Sequence, residues 1–288
     1  MLFQALASGV TAGSIYALVA IAFVLIYKGT RVVNFGQGEQ VMLGAYLVIV
    51  FHAFFNLPFY IAVLIAVLIS AVSGILIQTV ILSRIAMNSL LTQIIAMLAL
   101  GLILREGTRA LMGANAYPFP FLLSPAPLNI AGLLVTPANV AVIVVSIIVM
   151  LAFYFFFRYA RLGKALRAAC ENRTAASLMG ISVPFVFCSI WALSSAIAAI
   201  AGVLIAPIVT LTPDIGIIAI KGWVAAVVGG FTSLPGAVLG GVTLGVIETV
   251  AGTYLSTAIK DLFTYLFLII ILIIRPSGLL TRKVVKKV

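Results

Sequence analysis

Cysteine, histidine and acidic residues are all scarce in this chain of 288 residues, which has two, one and six of them respectively. Cys170 and Cys188 cannot build a disulfide framework, and with His52 as the single histidine there are too few ligands for a tetrahedral zinc site. Six scattered carboxylates supply neither paired acids nor a Ser-His-Asp arrangement, which argues against hydrolytic chemistry. The Gly163-Lys164 pair lacks a glycine five residues earlier and is followed by Ala165, so the phosphate-cradling loop of an ATPase fails. The chain is therefore not expected to be an enzyme, and no cofactor is expected to bind it. The first residues have no basic n-region and no small-residue cleavage site. Met1 to Tyr27 thus reads as a retained membrane span rather than a cleaved signal.

Apolar residues, by contrast, are abundant. They make up 64% of the chain and charged residues only 8%, against about 45–50% and about 25% in an ordinary soluble domain. With a mean hydropathy of +1.32, most of the chain must face lipid. Nine apolar stretches can be drawn: Leu6 to Tyr27, Gln40 to Phe55, Phe59 to Ser83, Leu90 to Met112, Thr136 to Phe157, Phe185 to Val209, Ala219 to Phe231, Gly236 to Tyr254 and Leu262 to Ile274. The second and seventh are too short to cross a hydrocarbon core of about 30 Å and are expected to be half-spans or broken helices. The fold expected is a single all-α, polytopic transmembrane bundle, residues 1–288, of about eight or nine spans.

The net charge of +11 becomes an orientation signal once its residues are placed, because cytoplasmic loops collect Lys and Arg. Lys28 and Arg31 follow the first span and Arg84 the third. Arg158, Arg161, Lys164, Arg167 and Arg173 follow the fifth, and Arg275, Arg282, Lys283, Lys286 and Lys287 close the chain, thirteen of the 17 basic residues. Nine crossings with the N-terminus outside and the C-terminus cytoplasmic put all thirteen on one side. Nucleic acid is then not needed to explain the charge. The Pro-rich stretch from Tyr117 to Pro137 faces outward, and residues 158–184 form the largest inward loop.

Gly9 and Gly13, Gly236 and Gly240, and Gly241 and Gly245 form GxxxG pairs, which allow close helix approach in lipid. Gly-Val-Thr-Ala-Gly from Gly9 and Gly-Val-Thr-Leu-Gly from Gly241 are alike, as a duplicated architecture would make them. In so biased a composition, chance is the simpler explanation. In the inward loop, Thr174 to Met179 favours a short helix that Gly180 can stop. Such a helix, with Leu178 and Met179 as apolar anchors, suits a cytoplasmic partner; the alternative is an amphipathic connector.

Thr174 to Gly180 resembles the EAA-x3-G loop of ABC-transporter permeases. Val32-Val-Asn-Phe-Gly-Gln-Gly-Glu39, Arg167-Ala-Ala-Cys-Glu171, Ala198 to Leu204, Ala226 to Ala237 and Tyr254 to Asp261 are similar, in the same order, to the first of the two permease subunits of branched-chain amino acid ABC importers. The likeness runs from about Gly9 to about Gly278. It implies an importer permease in the bacterial inner membrane, working with a second, related permease, two ABC ATPases that hold ATP and Mg, and an extracytoplasmic substrate-binding protein. It also implies coupling to the ATPase through Glu171, Ala175, Ala176, Leu178, Met179 and Gly180. Thr174 stands where the loop motif has Glu, and Gly36 and Gln37 stand where the family commonly shows Ala and His. A urea or short-amide importer is the neighbouring reading. A self-sufficient secondary transporter or channel is the rival class, but it would need a coupling-ion site for which six acidic residues leave little material.

Asn34, Gln37, Glu39, Arg105 and Glu248 are the candidates for the translocation route. Glu39 opens a helix near the inner interface, where a carboxylate can also serve as a simple cap. Glu248, twelve residues past Gly236, would lie about 18 Å from the inner surface. A charge so deep must be paired or protonated, and Arg105, at similar depth, is the expected partner.

Overall fold

A computed structural model describes residues 2–85, 90–120, 128–130, 133–256 and 259–280. Arg282, Lys283, Lys286 and Lys287, four of the basic residues placed at the inner side, lie outside the described residues. Eleven α-helices of six residues or more are described: α1 (Leu2–Thr30), α2 (Gln37–Ile49), α3 (Phe59–Leu76), α4 (Leu90–Met112), α5 (Pro137–Tyr159), α6 (Arg161–Glu171), α7 (Arg173–Leu178), α8 (Val183–Val209), α9 (Ile218–Gly229), α10 (Leu234–Tyr254) and α11 (Lys260–Ile274). α2 and α3 each run on into π-helical turns, Val50–Phe54 and Ile77–Leu82. Two short antiparallel strands, β1 (Leu128–Ile130) and β2 (Leu133–Val135), pair within the Pro-rich stretch, a small addition to an all-α bundle.

The helix boundaries have local causes. Pro137, Pro184 and Pro235 occupy first-turn positions, where a missing N–H costs nothing. Ser233 accepts a hydrogen bond from the Gly236 N–H and caps α10. α1 ends at Arg31 and α8 at Thr210, both with φ in the left-handed region, 63° and 67°.

Among the described residues, five helices are long and apolar enough to cross a membrane: α1, α3 with its continuation, α5, α8 and α10. α1 is the axis of the bundle, since every residue from Ile15 to Ile26 is buried. A helix apolar on all sides can be buried without stranding a polar face. α3 shows the other pattern. Ala62, Ala66, Ser70 and Gly74 form a buried stripe of small residues toward α8, while Leu64, Leu68, Val72 and Leu76 point outward as a lipid-facing side.

α2 and α9 are the two half-spans, and they are arranged in opposite senses. After Thr30 the chain leaves the end of the bundle that carries Lys28 and returns without helix as far as Gln37. The Gln37 side chain reaches the Ser194 carbonyl, eleven residues or about 16 Å along α8. From there α2 runs to the far end. After Val209 the chain turns back from the far end, and α9 runs from the same interior level toward the basic end. There Leu279 N–H bonds the Val228 carbonyl. The packing repeats with the direction inverted: α1 lies on α10 as α8 lies on α3, α2 lies on α8 as α9 lies on α1, and α2 on α3 as α9 on α10. The two Gly-Val-Thr motifs are not the equivalents in this exchange. They face each other, Gly13 and Gly245 in direct backbone contact, and a methyl group on Gly245 would stand 2.3 Å from the Gly13 nitrogen.

Candidate functional site

The loop at the basic end is a helical hairpin. α6 buries Gly163, Leu166 and Ala169 on one side, and Gly163 sits so close to α5 that a methyl group would lie 2.3 Å from the Phe156 carbonyl oxygen. Asn172 begins α7, its side-chain oxygen accepting from the Ala175 N–H. Gly180, at φ 81°, ends it, with the Ile181 N–H returning to the Ala176 carbonyl. Arg173 fixes the hairpin to the bundle by donating to the Gly29 carbonyl at the end of α1 and by lying 4.8 Å above the Phe187 ring of α8. Of the six residues expected to couple, Ala176 is buried as the anchor of α7, whereas Glu171, Ala175 and Gly180 are exposed. Leu178 and Met179 are 84% and 82% exposed, a pair of large apolar side chains held outward by a short, capped helix. Burial pushes the Cys170 thiol of α6 above its usual range, against the opposing pull of Lys28, Arg173 and Arg31.

The second construction is the junction of the half-spans. Breaking a helix inside an apolar bundle frees backbone groups that must find partners. Asn34 supplies them: its oxygen accepts from the Gly36 N–H and its amide donates to Gln37 Oε1. Ser194 donates to the Ala22 carbonyl beside them. Asn34 and Gln37 are 1% and 0% exposed. They hold the break together, both side chains buried in this network and neither lining the cavity beside it. Beyond them the start of α2 and the 3-10 turn Ile215–Ile217 leading into α9 approach closely through two glycines. A methyl group on Gly38 would lie 2.4 Å from the Gly216 oxygen, and one on Gly216 would lie 2.7 Å from the Gly38 oxygen.

A cavity of about 350 Å³ opens at this junction, with Glu39, Arg105 and Asp214 among its lining residues. Glu39 is in the first turn of α2, but at the interior level of the junction rather than near the interface, because the chain climbs back before the helix starts. Its carboxylate lies against Gly101 of α4, where a methyl group would be 3.1 Å from Oε2. Asp214 lies on the segment leading into α9. Arg109 binds it at 3.1 Å and Glu106 at 3.0 Å, so one guanidinium hydrogen-bonds both carboxylates. Arg105 comes only to 3.9 Å from Asp214 and 3.8 Å from Glu106, longer than hydrogen bonds.

Arg105 is not the partner of Glu248. Glu248, on α10, accepts from Lys221 Nζ at 2.6 Å and from the Tyr16 hydroxyl at 2.9 Å. Lys221 also donates to Asp261 at 2.8 Å, so the ion pair ties α9, α10 and α11 together around α1. The expectation went wrong because equal depth does not make neighbours. α10 packs on α1, α9 and α11, whereas Arg105 projects from α4 into the half-span junction. Asp214 and Lys221 were missed in the sequence. Lys221 had a visible signal, a lone cation in the apolar run from Ile215 to Gly229, to which the reasoning used for Glu248 applies unchanged.

A family model described as "Branched-chain amino acid transport system / permease component" matches residues 5–272. The high-affinity branched-chain amino acid transport system permease protein LivH of Salmonella typhimurium is 32% identical over 300 residues, covering 99% of this chain and 97% of that protein. The corresponding permease protein BraD of Pseudomonas aeruginosa is 30% identical over 301 residues, with 99% and 97% covered. Among solved structures, PsaBC from Streptococcus pneumoniae in complex with Fab aligns with a TM-score of 0.49 at 17% identity, covering 96% of this chain and 92% of that one. That likeness is too remote to carry an inference.

Proposed function

The chain belongs to the family of branched-chain amino acid transport permeases, and from that premise we propose that it carries branched-chain or other hydrophobic amino acids across the bacterial inner membrane. In this reading it is one of two related permease subunits, supplied by an extracytoplasmic binding protein and driven by two cytoplasmic ATPases. ATP and Mg are held by those ATPases, and this chain is not catalytic. The N-terminus is outside and the C-terminus cytoplasmic, so the α6–α7 hairpin faces the ATPases.

The observation that supports this most directly is the outward pair Leu178 and Met179 on a helix fixed by Arg173 to α1 and α8. An ATPase groove that receives this pair can pull on α7. Because α7 is fixed to the ends of the two helices that precede the half-spans, movement is delivered to the junction 16 Å or so deeper. Alternating access requires two arrangements of the bundle, and the ATPases supply the differential free energy.

Co-expression of all five components allows a direct test. Leu178→Asp with Met179→Asp is expected to abolish ATPase co-purification and L-leucine uptake while the permease pair still assembles, since neither residue contributes to the core. Uptake by this chain without the ATPases would overturn the importer reading in favour of a secondary transporter.

A further inference from the structure

Glu39 and Arg105 are charges of opposite sign on the same cavity wall, within electrostatic reach of each other, yet they form no ion pair. Glu39 takes part in none of the ion pairs among the described residues. The Arg105 Nε is buried without a hydrogen-bond partner, and so is the indole N–H of Trp223, which also borders the cavity. Buried polar groups are normally satisfied, whereas Arg105 meets Glu106 and Asp214 only at 3.8 and 3.9 Å, beyond hydrogen-bond length, and an intramembrane ionisable residue so placed marks a ligand route. The remaining wall is apolar, formed by Phe35, Leu98, Ile220 and Trp223. A volume of about 350 Å³ is at the small end of ligand sites. The first turns of both half-helices border the same space, which adds positive partial charge beside Arg105.

We propose that this cavity is a transit site for one α-amino acid in its zwitterionic form. Arg105 takes the carboxylate, Glu39 takes the ammonium group, and Phe35, Leu98, Ile220 and Trp223 receive an apolar side chain. The proposal rests on the transport reading above and adds to it a specificity element in the membrane subunit itself, separate from selection by the binding protein. Asp214, already engaged by Arg109, holds the far rim of the site and does not take the ligand. A bare inorganic ion would leave the apolar wall unused, and a neutral amide would leave both charges unpaired.

The test is equilibrium binding of radiolabelled L-leucine to the purified, nucleotide-free complex without its binding protein. The competitors are 4-methylpentanoate, which lacks the amino group, and 3-methylbutylamine, which lacks the carboxylate. Unlabelled leucine is expected to compete at least about tenfold better than either, the size of one charge-assisted hydrogen bond lost. In Glu39→Gln the preference for leucine over 4-methylpentanoate should collapse, and in Arg105→Gln the preference over 3-methylbutylamine should collapse. A merely structural role for these residues would weaken all three compounds alike and would overturn the proposal. The competitor comparison on the unmodified complex needs no variant, so it stands even if a substitution prevents assembly. If the complex imports leucine with its binding protein but shows no preference for the zwitterion, the site is wrong and the transport reading survives. If it neither imports nor binds leucine, both fall.

Discussion

Lys221 is the residue whose removal should cost the bundle most. Its ammonium group sits between Glu248 and Asp261, with Glu248 only 5% exposed. Removing one member of a buried pair strands the other charge, at about 3–5 kcal/mol. Lys221→Met should therefore lower thermal stability in detergent far more than Lys221→Met combined with Glu248→Gln, which removes the stranded charge as well. An equal loss in both would show that the pair is not the cause. Cys170 gives a prediction in pH. Its thiol is held above the ordinary range by burial, so at pH 7 to 8 less of it is thiolate than in a free cysteine. In a Cys188→Ser background, iodoacetamide should alkylate it more slowly than a model thiol, with the rate rising only as pH climbs above the ordinary thiol range. A rate matching the free thiol at pH 8 would refute this.

At the scale of elements, the same change, glycine to alanine, is expected to act through two different mechanisms. Gly180 has nothing within 4 Å of an added methyl group, but its φ of 81° is strained for any other residue, at about 1–2 kcal/mol. Gly180→Ala should loosen the end of α7 and weaken ATPase co-purification while the bundle melts at an unchanged temperature. Gly38→Ala instead forces the half-helices apart against backbone that cannot move aside, an overpacking cost of about 1–3 kcal/mol. It should lower both melting temperature and uptake, with ATPase binding retained. Exchange of these two phenotypes would overturn the assignment of α7 to coupling and of the half-span junction to the route. The stop at Gly180 was legible in the sequence because a C-cap glycine acts locally. So were the two short apolar stretches as half-spans, because length against bilayer thickness is a one-dimensional comparison. That the two would meet head to head was not legible, since Gly38 and Gly216 are far apart in the chain and each looks like any other small residue.

For the molecule as a whole, the arrangement of charge makes a topological prediction. Lys28, Arg158, Arg173 and Arg275 gather at one end of the bundle, and the positive-inside rule puts that end in the cytoplasm. A cysteine introduced at position 3 should be labelled in intact cells by an impermeant maleimide, whereas one placed after Gly278 should be labelled only once the membrane is opened. The reverse pattern would require the whole bundle to be turned over.

Composition, span positions, the basic end and the Thr174 to Gly180 loop were all set by the sequence alone, because each depends on residues near one another in the chain or on a solvent preference that simply adds up. Which charges pair, and which face of each helix is inside, were decided by tertiary structure. In lipid the buried and exposed sides of a helix are equally apolar, so periodicity carries no direction. α1 is buried on every side and shows no stripe at all. Depth along a span placed Glu248 and Arg105 at similar levels. Only the packing of α10 against α9 and α11 gave Glu248 to Lys221 and left Arg105 with Glu39 in the lining of the junction cavity.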